Sequence, residues 1–212
     1  MTPKTPIRVV GLCGSLRPTS TTRHALRVAL EGAAQAGASI ALLDLRTYQL
    51  PFCDGNENEE AYPQDVFRLR RDVASAHGVV LGTPEYHGSY SGVLKNALDL
   101  MGFDEFEGKM VGLVGVSGGQ LGAVSALHEM RNVARALHAW VVPAQAGVPR
   151  AGSAFDASGA PLDARLADRL RDVGREVARF AYLHHAEEAK AFLQAWETAT
   201  PNPGGVHQGP PP

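Results

Sequence analysis

The stretch Ile7-Arg8-Val9-Val10-Gly11-Leu12-Cys13-Gly14-Ser15-Leu16-Arg17-Pro18-Thr19-Ser20-Thr21-Thr22-Arg23 decides the fold. Ile7 to Gly14 is an apolar run of strand length, bounded by Pro6 before it and Gly14-Ser15 at its end. A run without polar alternation fits a strand buried on both faces. Thr22 to Ala36 then places Leu26, Ala29, Leu30 and Ala33 on one helical face, with Gly37 just past the end. A buried strand thus passes through a hydroxyl-rich turn directly into an amphipathic helix.

The alternation continues along the chain. Ser39 to Leu45 reads as a second strand, residues 46 to 63 as a long connection, and Gln64 to Ala76 as a second helix. Gly78 to Gly82 is a third strand, halted by Thr83-Pro84. Ser91 to Met101 is a short helix, and Lys109 to Val116 a fourth strand stopped by Ser117-Gly118-Gly119. A helix over Leu121 to Leu137 precedes a fifth strand, Ala139 to Val148, whose Pro143 predicts an edge position. Leu162 to His184 is the last helix, with Leu166, Leu170, Val173, Val177 and Phe180 on one stripe.

Five apolar strands alternating with helices imply a parallel sheet covered on both faces, and right-handed crossovers leave few topologies. The expected fold class is an α/β three-layer sandwich of flavodoxin-like type, with strand order 2-1-3-4-5. Ligands of such sheets lie outside the carboxyl ends of the strands, beside strand 1. The loops after strands 1, 3 and 4 are therefore expected to carry the chemistry. The domain is expected over 7–185, with a disordered stretch at 1–6 and a helical extension over 186–199. Residues 200–212, with five prolines and three glycines, read as a disordered tail.

Composition narrows the function. The chain has 212 residues, 44% hydrophobic and 20% charged, with a formal net charge of -2. That balance gives no signal for nucleic acid or an acidic membrane. Two cysteines, Cys13 and Cys53, make no disulfide framework at this length. No apolar stretch approaches the roughly 18 residues of a membrane span, and no signal-peptide cleavage pattern is present. A cytoplasmic protein is expected.

The first loop, Gly14 to Arg23, packs Ser15, Arg17, Thr19, Ser20, Thr21 and Thr22 at a helix start. A helix N-terminus supplies free N–H groups and a positive dipole end, and hydroxyls and a guanidinium add donors suited to a terminal phosphate. One N-cap would need only one hydroxyl. The loop has neither the P-loop lysine spacing nor G-x-G-x-x-G, so a monophosphate such as that of FMN fits best. The second loop, Thr83 to Asn96, offers Pro84, Tyr86 and Gly88 as a fixed turn, an aromatic wall and a place for close backbone approach. Glu85 reads equally as a structural hydrogen-bonder, and His87 as a polar loop residue. The third, Ser117-Gly118-Gly119, is a candidate nest of N–H groups for electron-rich carbonyls, or simply a glycine-rich turn.

Together these loops resemble the NADPH-dependent FMN reductase family, a flavodoxin-like group that includes quinone, azo-compound and chromate reductases. Gly14, Ser15, Arg17 and Ser20 are similar to its G-S-x-R-x-x-S motif, with Thr22 where many members carry asparagine. Pro84-Glu85-Tyr86-His87-Gly88-Ser89 resembles its P-E-Y-[NH]-G-S loop, and Leu94-Lys95-Asn96-Ala97-Leu98-Asp99 its following helix. The resemblance implies FMN phosphate on Ser15, Arg17, Ser20 and Thr22, with the ring against Pro84, Glu85, Tyr86 and His87 and against Ser117, Gly118 and Gly119. It implies hydride transfer from NADPH or NADH through FMN to a small-molecule acceptor, with no protein catalytic residue and no metal. It also implies a homodimer or homotetramer, for which Leu98-Asp99-Leu100-Met101-Gly102-Phe103 is the candidate contact.

Two rivals stand beside this reading. Gly115-Val116-Ser117-Gly118-Gly119 also fits G-x-S-x-G, with Asp156 or Asp163 and His184 following in hydrolase order. A flavodoxin-type electron carrier is the other, although such carriers are usually strongly acidic. A metal on His184-His185 is disfavoured, because adjacent helical residues do not face one another.

Overall fold

The computed structural model describes residues 6–56, 58–186, 190, 191 and 194. All but Pro6 of the stretch 1–6 expected to be disordered, the expected tail at 200–212 and most of the expected extension over 186–199 lie outside the described residues.

Among the described residues, five strands form one parallel sheet: β1 (Arg8–Cys13), β2 (Ser39–Asp44), β3 (Gly78–Tyr86), β5 (Met110–Val116) and β6 (Trp140–Val148), in the order β2-β1-β3-β5-β6. This is the 2-1-3-4-5 order once β4 (Ser89–Tyr90), a two-residue antiparallel partner of β3, is set aside. The helices are α1 (Thr21–Gln35), α2 (Gln64–Ala74), α3 (Gly92–Asp99), α4 (Phe103–Phe106), α5 (Val124–Ala136) and α6 (Ala164–His185).

Strand alternation divides the core into two layers. Val9, Cys13, Val80 and Val114 pack against Leu26 and Leu30 of α1 and Leu170, Val173 and Val177 of α6. Val10, Leu12, Leu81 and Leu113 pack against Leu69 of α2, Leu94 and Leu98 of α3 and Met130 of α5. Because successive side chains point to opposite faces, continuous apolar strands serve both layers at once. Helices α1 and α6 cross at two glycines. A Cβ on Gly32 would lie 2.0 Å from the Arg171 carbonyl oxygen, and one on Gly174 only 1.7 Å from that of Ala29.

Strand β3 and the turn after it differ from the sequence reading. Strand β3 does not stop at Thr83-Pro84 but runs on to Tyr86, pairing Pro84 with Val116. Strand β1 pairs with β3 only as far as Gly82, so from there β3 is an edge on that side and the missing proline N–H breaks no ladder bond. Tyr86 to Ser89 then forms a two-residue hairpin, with His87 at φ 53° and Gly88 at φ 80°. Nothing lies within 4 Å of a Cβ built on Gly88. The glycine takes the left-handed backbone that such hairpins require. Strand β6 does lie at the edge, and its register slips opposite Gly112, where Pro143 falls.

Candidate functional site

The carboxyl ends of β1, β3 and β5 bring the three loops to one cleft of about 430 Å³. That volume lies in the range of small-molecule sites, roughly 300–1,000 Å³. Ser15, Arg17 and Thr22 line it from the first loop, Pro84, Glu85 and Tyr86 from the second, and Gly118 from the third.

The first loop is shaped by a staple beneath it. Arg23 is buried and donates to Asp44 at 2.8 Å, to the Pro18 carbonyl at 3.1 Å and to the Arg17 carbonyl at 3.2 Å. Burial alone would raise the Asp44 carboxyl, but bonds from Arg46 and Arg23 outweigh it and hold the group below its usual range. Ser91 closes the loop from the other side, its hydroxyl donating to the Gly14 carbonyl at 2.7 Å and capping α3 through the Leu94 N–H at 3.2 Å. The backbone from Gly14 to Ser20 is thereby held over the start of α1.

What remains free in that loop faces the cleft. Ser15 and Thr22 are buried residues that line it, and neither hydroxyl has a hydrogen-bond partner among the described residues. The Arg17 guanidinium is likewise unpaired among the described residues, in contrast to Arg23. The first-turn N–H groups of Thr21 and Thr22 precede the helical hydrogen-bond ladder. Ser20 is placed differently: its Oγ caps α1 by accepting from the Arg23 N–H at 3.2 Å, and it does not line the cleft. Thr19 and Thr21 do line it, and Thr21 also donates to the Ala151 carbonyl at 3.4 Å.

The second loop divides its labour. Tyr86 is 49% exposed and forms a shared wall between this cleft and an apolar groove of about 410 Å³ lined by Leu16, Tyr48, Leu50, Phe52 and Val93. Glu85 Oε2 accepts from the Ala126 N–H at 3.1 Å. Helix α5 begins at a left-handed Ala123 that offers no side-chain cap, so Glu85 supplies the acceptor from β3. Replacing Glu85 with alanine is expected to cost about 1 kcal/mol. The midpoint of thermal unfolding should then fall by roughly 2–4 °C, while Glu85→Gln keeps the acceptor and stays near wild type. An alanine variant that melts with the wild type would remove this role. His87 sits in the exposed hairpin turn and does not line the cleft.

The third loop is less of a nest than its glycines suggest. The Ser117 N–H goes to the Val148 carbonyl at 2.9 Å and the Gly119 N–H to Ser117 Oγ at 3.1 Å, leaving that of Gly118. Neither Gly118 nor Gly119 has a positive φ; the left-handed residues are Gly122 at 66° and Ala123 at 62°. A fourth segment, after β6, completes the cleft with Ala151, Gly152, Phe155 and Asp156. It is zipped to the third loop by Arg150 N–H to Gly119 O at 2.9 Å and Ala151 N–H to Ser117 O at 3.0 Å. His24 lines the cleft beside Phe155, and burial, aided by Arg27 and Arg23, holds it below the ordinary histidine range. Sequence reading missed this segment because no chemistry-bearing motif marks it.

The serine-hydrolase arrangement is not assembled. His184 meets His185 edge to face, and His185 meets His77, the residue preceding β3, at the opposite edge of the sheet from Ser117. Asp163 accepts from the Arg165 N–H as the cap of α6. The two adjacent helical histidines do touch, with ring centroids 5.4 Å apart, contrary to the expectation from helical spacing.

The model of the family described as NADPH-dependent FMN reductase matches residues 7–153, more than half of the chain. The chain belongs to that family. It is 40% identical over 104 residues to an NADPH azoreductase of Bacillus sp. (strain OY1-2), covering 49% of this chain and 58% of the relative. It is 41% identical over 98 residues to an FMN-dependent NADPH-azoreductase of Staphylococcus saprophyticus, covering 46% and 52%. This FMN reductase family member thus spans little over half the length of those curated relatives. The solved structure of FerB, a flavoenzyme NAD(P)H:(acceptor) oxidoreductase from Paracoccus denitrificans, superposes with a TM-score of 0.65 at 26% identity, covering 84% of this chain and 98% of that one. A flavodoxin from the domain Archaea, at a TM-score of 0.55 and 11% identity and covering 82% and 97%, shares the flavodoxin-like fold.

The run Leu98 to Phe103 is mostly interior. Leu98, Leu100 and Met101 are buried within the protomer, and Phe103 stacks on His138 with centroids 4.2 Å apart. No helix among the described residues is long and apolar enough to cross a membrane.

Proposed function

We propose that the protein is an FMN-dependent oxidoreductase that takes hydride from NADPH or NADH and passes two electrons to a small oxidised acceptor such as a flavin, quinone, azo compound or chromate. The observation that carries this reading is the set of unpaired donors on the first loop. Ser15 and Thr22 hydroxyls, the Arg17 guanidinium and the start of α1 converge on one cleft with no acceptor for them among the described residues. That donor set is complementary to a phosphate dianion.

Ser15, Arg17 and Thr22 would hold the phosphate, while Ser20 shapes the loop from below. Tyr86 would wall the ring, and the Gly118 N–H would face its polar edge. Bound there, FMN supplies the redox chemistry by accepting hydride and releasing two electrons. The protein's part is to position and to exclude water. The apolar groove beyond Tyr86 gives a flat acceptor a surface of matching chemistry. The azoreductase relatives favour azo compounds within that class. A homodimer or homotetramer belongs to the same reading, with its contact formed by more than the largely buried Leu98–Phe103 run.

Anaerobic addition of NADPH to the purified yellow protein tests this. Loss of the visible absorbance band of oxidised flavin, followed by its return on adding a quinone or azo dye, is expected without any partner protein. A band that persists under excess NADPH and NADH would contradict the enzyme and favour the electron carrier.

A further inference from the structure

A second cavity, of about 650 Å³, lies against the first and shares no lining residue with it. Its wall is the segment after β6: Ala151 and Gly152 line the FMN cleft, whereas Arg150, Ser153 and Ala154 line this one. Gln120, next to Gly119 of the third loop, lines it too. Three arginines, Arg150, Arg165 and Arg169, surround it.

None of the three guanidinium groups has an ion pair or hydrogen bond among the described residues. Elsewhere on α6, arginines do pair: Arg171 with Glu31 and Asp168, and Arg175 with Asp172. Arg165 and Arg169 are four residues apart on α6 and so share a face, where like charges repel. Asp163, the one carboxylate lining the cavity among the described residues, caps α6 through the Arg165 N–H at 2.9 Å. The start of the 22-residue helix α6 adds its positive end to the same place. Beside these charges lie Pro149, Leu162 and Leu166, of which Leu162 is 66% exposed.

Unpaired forked donors next to apolar surface suit a planar base carrying a phosphate, because guanidinium groups stack on rings and bind phosphate through two N–H groups. We propose that this cavity takes the adenosine 2′-phosphate end of NADPH, and that Arg165 and Arg169 select NADPH over NADH. This rests on the reading of the adjoining cleft as the FMN site, since the nicotinamide must reach that cleft. A 2′-phosphate is the group that distinguishes the two nucleotides, and an arginine is a suitable partner for it.

Calorimetric titration with adenosine 2′,5′-bisphosphate, with 5′-AMP as the control, tests the site without needing the flavin. The wild type is expected to bind the bisphosphate more tightly than 5′-AMP. The double variant R165A/R169A should weaken it about ten- to hundredfold, as loss of charge-assisted bonds implies, and R165K/R169K should restore part of it. Both arginines are exposed helical residues, so the variants should melt near the wild type. Arg17→Ala should leave bisphosphate binding unchanged. In turnover, R165A/R169A should raise the KM for NADPH well beyond any rise in the KM for NADH. Equal binding of the bisphosphate by wild type and double variant, or an equal rise of both KM values, overturns the assignment. A colourless protein that still binds the bisphosphate through Arg165 and Arg169 upholds this site and contradicts only the FMN reading.

Discussion

Substitution of Gly174 by alanine is expected to destabilise the protein by about 3 kcal/mol, the upper part of the usual range for overpacking. On an open helix the same change would stabilise, because glycine is about 1 kcal/mol poorer than alanine in a helix interior. The sign reverses here because the added Cβ would lie 1.7 Å from the Ala29 carbonyl oxygen and 2.7 Å from its carbon. Those atoms are backbone of α1 and cannot rotate away. Relief requires α1 and α6 to separate, and Gly32 against Arg171 at the same crossing restricts that movement. The two helices cover one face of the sheet, so separation would also open the layer around Leu26, Leu170 and Val177. Thermal unfolding should shift down by roughly 6–12 °C for a chain of this size. Gly92→Ala is the control: nothing lies within 4 Å of its Cβ at the start of α3, and its midpoint should hold or rise slightly. A Gly174→Ala protein that melts with the wild type would contradict the close crossing.

The largest expected effect on the site comes from Arg17→Ala. This guanidinium lines the cleft, is exposed and has no partner among the described residues. Its removal leaves no protein group unsatisfied, so stability should be unchanged. A bond from a cation to phosphate contributes about 1.5–3 kcal/mol, so FMN affinity should fall about ten- to hundredfold. Fluorescence titration of flavin-depleted protein measures this directly, and Arg17→Lys should recover part by keeping the charge without the fork. Arg23 shows the opposite character six residues on. Its guanidinium ties Asp44 and two loop carbonyls, and loss of it should disturb the loop as well as the ligand. Unchanged FMN affinity in Arg17→Ala would detach the residue from the phosphate.

Much of the frame was legible because each strand serves two buried layers. Val9 to Cys13, Val79 to Leu81 and Val111 to Val114 are apolar at successive positions for that reason, and their alternation with helical stripes led to the observed order. Pro143 announced the edge strand through its missing donor. Pro84 misled by the same rule, since a strand that loses its neighbour partway becomes an edge without any sign in its own residues. The hairpin after Tyr86 went unread because His87 replaces the asparagine or aspartate that usually accompanies glycine there.

At the site, residue type was legible and partnership was not. Ser15, Arg17 and Thr22 sit in the cleft, but Ser20, one of the same cluster of hydroxyls, is a cap. Arg17 and Arg23 look alike in sequence, and only the arrival of Asp44, 21 residues later, separates them. Glu85 finds its use 41 residues away at the start of α5. Gly32 and Gly174 are unremarkable until two helices meet, and the three arginines around the second cavity come from the β6 loop and α6.

The account depends on the first loop gripping a phosphoryl group, and paired titrations of flavin-depleted protein with FMN and with riboflavin test that most directly. The two ligands share the ring and differ in the phosphate alone. Several charge-assisted bonds at about 1.5–3 kcal/mol each predict FMN binding tighter by at least about a hundredfold. Equal affinity for the two would mean that Ser15, Arg17 and Thr22 do not hold a phosphate.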